Sequence, residues 1–308
     1  MPLALAGLFI WLTYNKLTPQ DLEQLERSFR EADYTYVVLG MFLAFFSHLS
    51  RAFRWRLMLE PLGYRPTARV LISCIGVGYL MNLVIPRSGE VSRAVIAHNQ
   101  SGVPVPQAIG TIVTERVIDF VLLLGLIALT VILQYDVIMD VISKNGQGIP
   151  SLGWLGVLAA VGMAGLIWVL KSQNRFALKI KTFLIGLKEG ILAVRKMQKP
   201  WLYVAHTIFI WGMYLLMFWV VFYSLPETAN TPLTGVLTAF ITGSLSIAFT
   251  NGGLGSYPFF VATVLVYFGV VFSAGTAFGW IVWASQTLMI LIYGGISFLA
   301  LRSGKTVA

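Results

Sequence analysis

The stretch MNLVIPRSGEVSRA, Met81 to Ala94, decides how the rest of the chain is read. An apolar run breaks at Pro86, and Arg87, Glu90 and Arg93 then fall within seven positions. Charges beside so apolar a run need a reason, and the surrounding composition supplies the first part of it.

The chain has 308 residues, of which 57% are hydrophobic and only 11% charged, with a mean hydropathy of +0.78. Soluble chains carry about 25% charged residues, so this is a polytopic membrane protein. A hydrocarbon core takes about 20 apolar residues to cross. Ile109–Tyr135, Ser151–Leu170, Trp201–Leu225 and Ala274–Leu301 are that long, whereas Tyr34–Leu49, Val70–Ile85 and Leu3–Tyr14 are shorter. Leu3–Tyr14 lacks the basic start and cleavage site of a secretory signal and reads as an anchor or a clipped first span. Lipid satisfies no backbone polar groups and the runs lack the dyad alternation of a barrel, so the class is all-α. Residues 1–308 read as a single integral membrane domain. The lone cysteine, Cys74, allows no intramolecular disulfide and no cysteine metal site.

Charge sets the expected topology, because Lys and Arg accumulate on the cytoplasmic side. Lys171–Lys199 holds eight basic residues against Glu189, and Arg51–Arg69 holds five against Glu60. Lys16–Asp33, with three basic and five acidic residues, and Asp136–Pro150, with one and two, face outward. If Val70–Ile85 crossed fully, the two basic segments would lie on opposite sides. A re-entrant hairpin with Pro86 and Gly89 at its tip removes the conflict, and broken backbone is tolerated at membrane depth where protein or a cavity encloses it. The C-terminus is then cytoplasmic. Within 171–199, Phe176, Ile180, Phe183, Leu184, Leu187 and Ile191 recur at helical spacing, with Arg175, Lys179, Lys188 and Arg195 off that stripe. This predicts an amphipathic helix on an anionic leaflet or packed on the bundle.

A second break, FTNGGLGSYPFF at Phe249–Phe260, separates the apolar runs Leu233–Phe249 and Phe259–Val271. Each half, 1–150 and 151–308, thus holds a short run rich in Gly and Ser, a break and a helix restart. Paired interrupted segments of opposite topology point to a binding site near the middle of a transporter. Charge leaves open whether 233–271 is re-entrant or crosses twice.

The third anomaly is TIVTERVIDFVLLLG, where Glu115, Arg116 and Asp119 stand in the early turns of a 27-residue apolar run. Thr111, Glu115 and Asp119 share one face at four-residue spacing, and Arg116 is three before Asp119, in pairing range. Each charge costs about 2.5–3.5 kcal/mol at a helix centre, so these side chains should face protein or a wet cavity. A fixed ion pair near the inner interface is the structural alternative to a functional site. Arg87, Glu90 and Arg93 with Glu115, Arg116 and Asp119 make three charges of each sign. Such a cluster can be neutral overall while presenting arginine forks to phosphate. Helix restarts after Ser88-Gly89 and after Gly255-Ser256 add backbone N–H groups that favour anions. Asn82 on the first arm, and Asn251, Gly252, Gly253 and Ser256 at the second break, complete the candidate headgroup site.

NLVIPRSGEVSRA followed by TIVTERVIDFVLLL resembles the paired signature of the lysylphosphatidylglycerol synthase transmembrane-region family, also called the flippase-like domain family. An upstream Arg54-Trp55 pair and Gly252–Gly255 extend the likeness over nearly the whole chain. The resemblance implies a multi-pass protein of a bacterial or archaeal cytoplasmic membrane, moving lipid across the bilayer. It assigns motif roles to Asn82, Pro86, Arg87, Gly89, Glu90, Arg93, Glu115, Arg116 and Asp119. The family's late motif begins Pro-Gly-Gly and continues to a glutamate, where this chain has Asn251 and then Ser256, Tyr257 and Pro258. Seven residues follow Leu301, so the likeness is to members lacking the soluble aminoacyl-transferring domain.

The leading expectation is a translocator of a phospholipid or a polyprenyl-phosphate-linked lipid, with no cofactor and no metal. No Walker-type sequence is present, so transport would be passive, ion-coupled through Glu90, Glu115 or Asp119, or assisted by a partner. The alternatives are a membrane-embedded glycosyl- or phosphotransferase on a lipid carrier and an accessory subunit of an envelope-lipid pathway. The scattered His48, His98 and His206 suggest no metal site. Expected partners are membrane lipids with anionic headgroups; an enzyme that makes the lipid and a homo-oligomer both fit. Nucleic acid does not, because the basic excess is juxtamembrane.

Overall fold

A computed structural model describes residues 2–135, 197–247 and 250–302, together with Ser172, Asn174, Leu178 and Lys181. The expected span Ser151–Leu170, the outward segment Asp136–Pro150 and the cytoplasmic tail after Arg302 lie outside the described residues. So does the amphipathic helix expected at 171–199, apart from those four residues and 197–199.

The described residues form eleven α-helices and no strand. In order they are α1 (Pro2–Tyr14), α2 (Pro19–Glu31), α3 (Tyr34–Leu59), α4 (Ala68–Val84), α5 (Gly89–Ser101) and α6 (Val105–Leu133). Then come α7 (Pro200–Val221), the one-turn α8 (Pro226–Ala229), α9 (Leu233–Ser246), α10 (Ser256–Val266) and α11 (Phe272–Arg302). Four helices, Tyr34–Leu62, Val105–Leu133, Pro200–Ser224 and Phe272–Arg302, are long and apolar enough to cross a membrane. α4, α9 and α10 are equally apolar and too short.

The chain divides into two compact units, Met1–Val113 with Met197–Ala308, and Thr114–Lys196. In the first unit, α3 and α7 run antiparallel. Asp33 N–H donates to the Ser224 carbonyl at one end, and at the other Ser50 Oγ lies 2.8 Å from His206 Nδ1. α11 runs antiparallel to α4: Arg69 reaches the Ala300 carbonyl, Tyr293 Oη donates to Ile72 O, and Gly76 and Gly294 leave room for Ser297 and Leu80. Small residues of this kind let membrane helices approach closely.

Two stretches differ from the sequence reading. Tyr34–Leu49 is not a short run: α3 continues ten residues further, through RAFRWRLML, which composition counts as loop. Arg51 and Arg54 are buried because α7 supplies partners. Arg51 Nη2 donates to Tyr214 Oη at 3.1 Å and Arg54 Nη1 to Thr207 Oγ1 at 3.2 Å. The acidic segment Lys16–Asp33 is likewise mostly helix. Thr18 and Asp21 form a reciprocal capping box ahead of Pro19 at the first position, and Leu25 and Ser28 turn inward.

Two helical hairpins enter the first unit from opposite ends. α4 starts at the Arg302 end, and α5 returns beside it, with Gly78 against Gly89 and Arg93. α9 starts beside α8 at the Asp33 end, and α10 returns to it. A Cβ on Gly243 would meet Tyr257, and one on Gly235 would meet Phe268. The segment 233–271 therefore doubles back and leaves on the side it entered.

Candidate functional site

The first hairpin turns at Ile85–Ser88. Ser88 Oγ donates to the Met81 and Ile85 carbonyls, closing the last turn of α4. Asn82 Oδ1 accepts from Gly89 N–H at 2.7 Å, tying the start of α5 to the arm it left. Arg87 carries the turn at φ +65°, the sole non-glycine residue with positive φ among those described, and its side chain is exposed. A left-handed conformation costs a β-carbon-bearing residue roughly 1–2 kcal/mol, and such outliers persist where surrounding structure over-determines them.

The second hairpin breaks at Thr250–Gly255. Gly252, Gly253 and Gly255 all take positive φ, which a side chain would resist. Ser256 Oγ donates to Ser246 O at 2.9 Å and lies 2.7 Å from Thr250 Oγ1, bridging the break.

The tips meet. Asn251 Nδ2 donates to the Leu83 carbonyl at 3.1 Å, and Gly252 approaches Leu83 Cδ1. Trp283 of α11 fixes the same loop, donating from Nε1 to the Gly252 carbonyl at 2.8 Å. Asn82, Arg87, Asn251, Gly252 and Gly253 are thus brought to one region of the first unit.

Not every candidate points there. Arg93 is buried with its guanidinium 3.9 Å from the Trp55 ring centroid, and Trp55 Nε1 donates to Thr111 Oγ1 at 2.9 Å. This places Arg93 in a packed stack joining α5, α3 and α6. Ser256 is occupied across its own break. Of the N–H groups expected to favour anions at the start of α5, that of Gly89 is taken by the Asn82 side chain. Glu90 is half-buried on the first turn of α5.

Glu115, Arg116 and Asp119 belong to the second unit. Glu115 and Asp119 are buried, in line with Thr111, while Val113, Phe120 and Leu124 are exposed. The polar stripe of α6 is therefore its buried face, as expected of charges in an apolar helix. Arg116 is exposed, with Nη1 4.0 Å from Asp119 Oδ2.

Sequence reasoning passed over a buried aromatic layer around His48. Its ring lies 4.4 Å from Tyr79 and stacks on Tyr293 at 5.9 Å, with Arg51 and Tyr214 alongside. Ser47, Ser50, Arg51 and Arg54 recur at three- and four-residue spacing, the one signal that this polar stripe belongs to a helix face. Trp283 gave no signal at all. Among the described residues no group of His, Cys, Asp and Glu is placed to hold a metal ion.

Fold and site together define a helical multi-pass membrane protein with two opposed broken hairpins. The sequence matches the lysylphosphatidylglycerol synthase TM region over residues 1–294, and the chain belongs to that family, as its paired motifs imply. It is also similar to the glycosyltransferase AglD of Haloferax volcanii, 32% identical over 97 residues, which is 31% of this chain and 16% of that protein. The chain thus spans a small fraction of that relative's length. No solved structure matches.

Proposed function

We propose that this protein translocates a phosphate-bearing lipid between leaflets, with the headgroup held where the two hairpin tips meet. The observation that carries this reading is the bond from Asn251 to the Leu83 carbonyl, which joins two breaks entering from opposite ends. At 1.5 Å per residue the arms α4, α9 and α10 are about 26, 21 and 17 Å long, short of the ~30 Å core. These lengths support reading each hairpin as re-entrant with its irregular backbone near mid-membrane, the arrangement that positions substrate in inverted-repeat transporters. Arg87 is the proposed phosphate ligand, since its planar fork suits paired oxygens. The basic excess puts the Arg302 end on the cytoplasmic side of the cell membrane. Glu115 and Asp119 on α6 are candidates to carry a coupling proton, as ionisable groups within an apolar membrane helix are functional by default.

The test is reconstitution of purified protein into vesicles containing phosphatidylglycerol labelled on its headgroup, followed by quenching of outer-leaflet label. The expected result is protein-dependent exchange that Arg87→Ala lowers at least tenfold, or about 1.4 kcal/mol. Exchange at the protein-free rate overturns the reading. The glycosyltransferase named among the similar proteins favours one other reading, sugar or phosphoryl transfer to a lipid carrier. A new glycolipid formed in the same vesicles from a nucleotide sugar would establish it.

A further inference from the structure

A cavity of about 600 Å³ lies in the first unit between the opening turns of α3 and the middle of α11, with Tyr14 of α1 and Phe29 of α2 also lining it. Its walls are apolar, with Val38 and Met41 on one side and Ala284 and Leu288 on the other. Of the lining hydroxyls, those of Tyr34 and Ser285 are spent on the Phe29 and Val282 carbonyls, and that of Tyr14 belongs to an exposed residue. Trp280 differs: its indole Nε1–H is buried and has no acceptor.

We infer that this groove holds one acyl chain of a membrane phospholipid, with Trp280 Nε1 donating to the ester carbonyl of that chain. The inference rests on the lipid-handling role proposed above and adds where the tail goes. The groove is open, with Val38, Ala284 and Leu288 exposed, and its apolar walls offer water few partners, so the occupant that fits is hydrocarbon. From Trp280 to Leu288 the groove runs about 12 Å at helical rise. A helix 10–12 Å across would fill roughly 900 Å³ or more over that length, too much for the space. About twenty water-sized groups at ~30 Å³ each do fit, which is the size of one fatty acyl chain. An acyl chain brings an acceptor, its ester carbonyl, that matches Trp280 Nε1, the one buried donor of the lining without an acceptor. The groove is coupled to the hairpin break through two indoles: the Trp280 ring stands edge-on to Trp283, 5.5 Å between centroids, and Trp283 holds the Gly252 carbonyl. A lipid with its tail in the groove would have its headgroup one tryptophan away from the meeting point of the tips.

The experiment uses the full chain in nanodiscs of phosphatidylethanolamine and phosphatidylglycerol, the latter carrying a photoactivatable diazirine on one palmitoyl chain. Irradiation and peptide mapping are expected to find adducts on Met41, which lines the groove and is half-buried, well above those on Ile292 and Ile296, which are exposed on α11 outside it. Ala284→Trp, filling the groove from an exposed position, should lower the groove adducts at least tenfold, about 1.4 kcal/mol, and leave Ile292 and Ile296 labelling unchanged. Trp280→Phe should lower them about fivefold, the value of one hydrogen bond. Equal labelling of groove and exposed positions means annular lipid only and overturns the inference. So does labelling indifferent to both substitutions, a cross-link to a second copy of the chain, or equal capture of a free diazirine fatty acid. Ala284→Leu repeats the test if the tryptophan variant does not accumulate. Photolabelling reads occupancy without movement, so failure of translocation in vesicles and failure of the groove are told apart.

Discussion

Gly89 stands where α4 and α5 cross, and one added methyl there tests the hairpin. A Cβ built on Gly89 would collide with the Gly78 carbonyl oxygen and lie 2.5 Å from Asn82 Nδ2. At Gly78 the equivalent atom would be 3.1 Å from the Gly89 carbonyl, and at Gly212 on α7 nothing lies within 4 Å. The obstacles at Gly89 cannot swing aside, because one is backbone and the other is the amide that accepts Gly89 N–H. Overpacking costs about 1–3 kcal/mol and a lost hydrogen bond about 1, offset by about 0.5–1 from replacing glycine. The net for Gly89→Ala is about 2–3 kcal/mol; Gly78→Ala should cost about 1, and Gly212→Ala should gain about 0.5–1.

Thermal unfolding in detergent can be followed with a thiol-reactive fluorophore, because the one cysteine, Cys74, is fully buried on α4 and reports this hairpin directly. At about 2–4 °C per kcal/mol, Gly89→Ala should melt about 4–12 °C lower, Gly78→Ala a few degrees lower, and Gly212→Ala no lower than the parent. Equal melting of the Gly89 and Gly212 variants would refute the crossing.

Arg87→Gly should leave melting unchanged or slightly higher, since relief of about 1–2 kcal/mol of left-handed strain offsets the entropy of glycine, while lipid exchange falls at least tenfold; loss of stability with loss of exchange would make Arg87 scaffold. Trp55→Phe removes the donor to Thr111 and weakens the stack under Arg93, so its melting point should drop for a loss of about 1–2 kcal/mol; Thr111→Val alone should reproduce only the hydrogen-bond share. Asp21 gives a pH dependence. The Thr18 backbone N–H and hydroxyl, at 3.0 and 2.7 Å, hold its carboxyl below the ordinary 3.8. A lowered folded pKa stabilises α2 above 3.8 and loses that stability as pH falls through the lowered value. The protection of the α2 amides from hydrogen exchange, taken against the intrinsic rate at each pH, should therefore fall below pH 3.8 in the parent and show no such step in Asp21→Asn.

The parts legible in sequence were those with a local signature. Pro86 and the charges after it announce a turn, four-residue spacing places Glu115 and Asp119 on one face, and both held in the structure. What stayed hidden depended on distant partners. Asn251 meets Leu83 across 168 positions, and nothing local in either segment records it. The Gly89 N–H at the start of α5 read as open to anions because its acceptor, Asn82, lies seven positions back, beyond any capping pattern. Arg51 and Arg54 read as juxtamembrane charges because composition does not tell a guanidinium in water from one against Tyr214 or Thr207.

That last error bears on orientation. Of the five basic residues at 51–69, the two buried ones are removed from the interfacial count, leaving Arg56, Arg65 and Arg69 against Glu60. The excess keeps its sign and loses much of its size. Yet the hairpins do not depend on it. α4 begins beside Ala300 and α9 beside α8 whichever way the chain is inserted, because those placements come from contacts within one unit. Reversing the protein would exchange the leaflet to which each hairpin opens and leave Asn251 on the Leu83 carbonyl. On the proposed function, charge would therefore decide only direction: which leaflet supplies a headgroup to the tips, and from which side a tail reaches the groove beside Trp280.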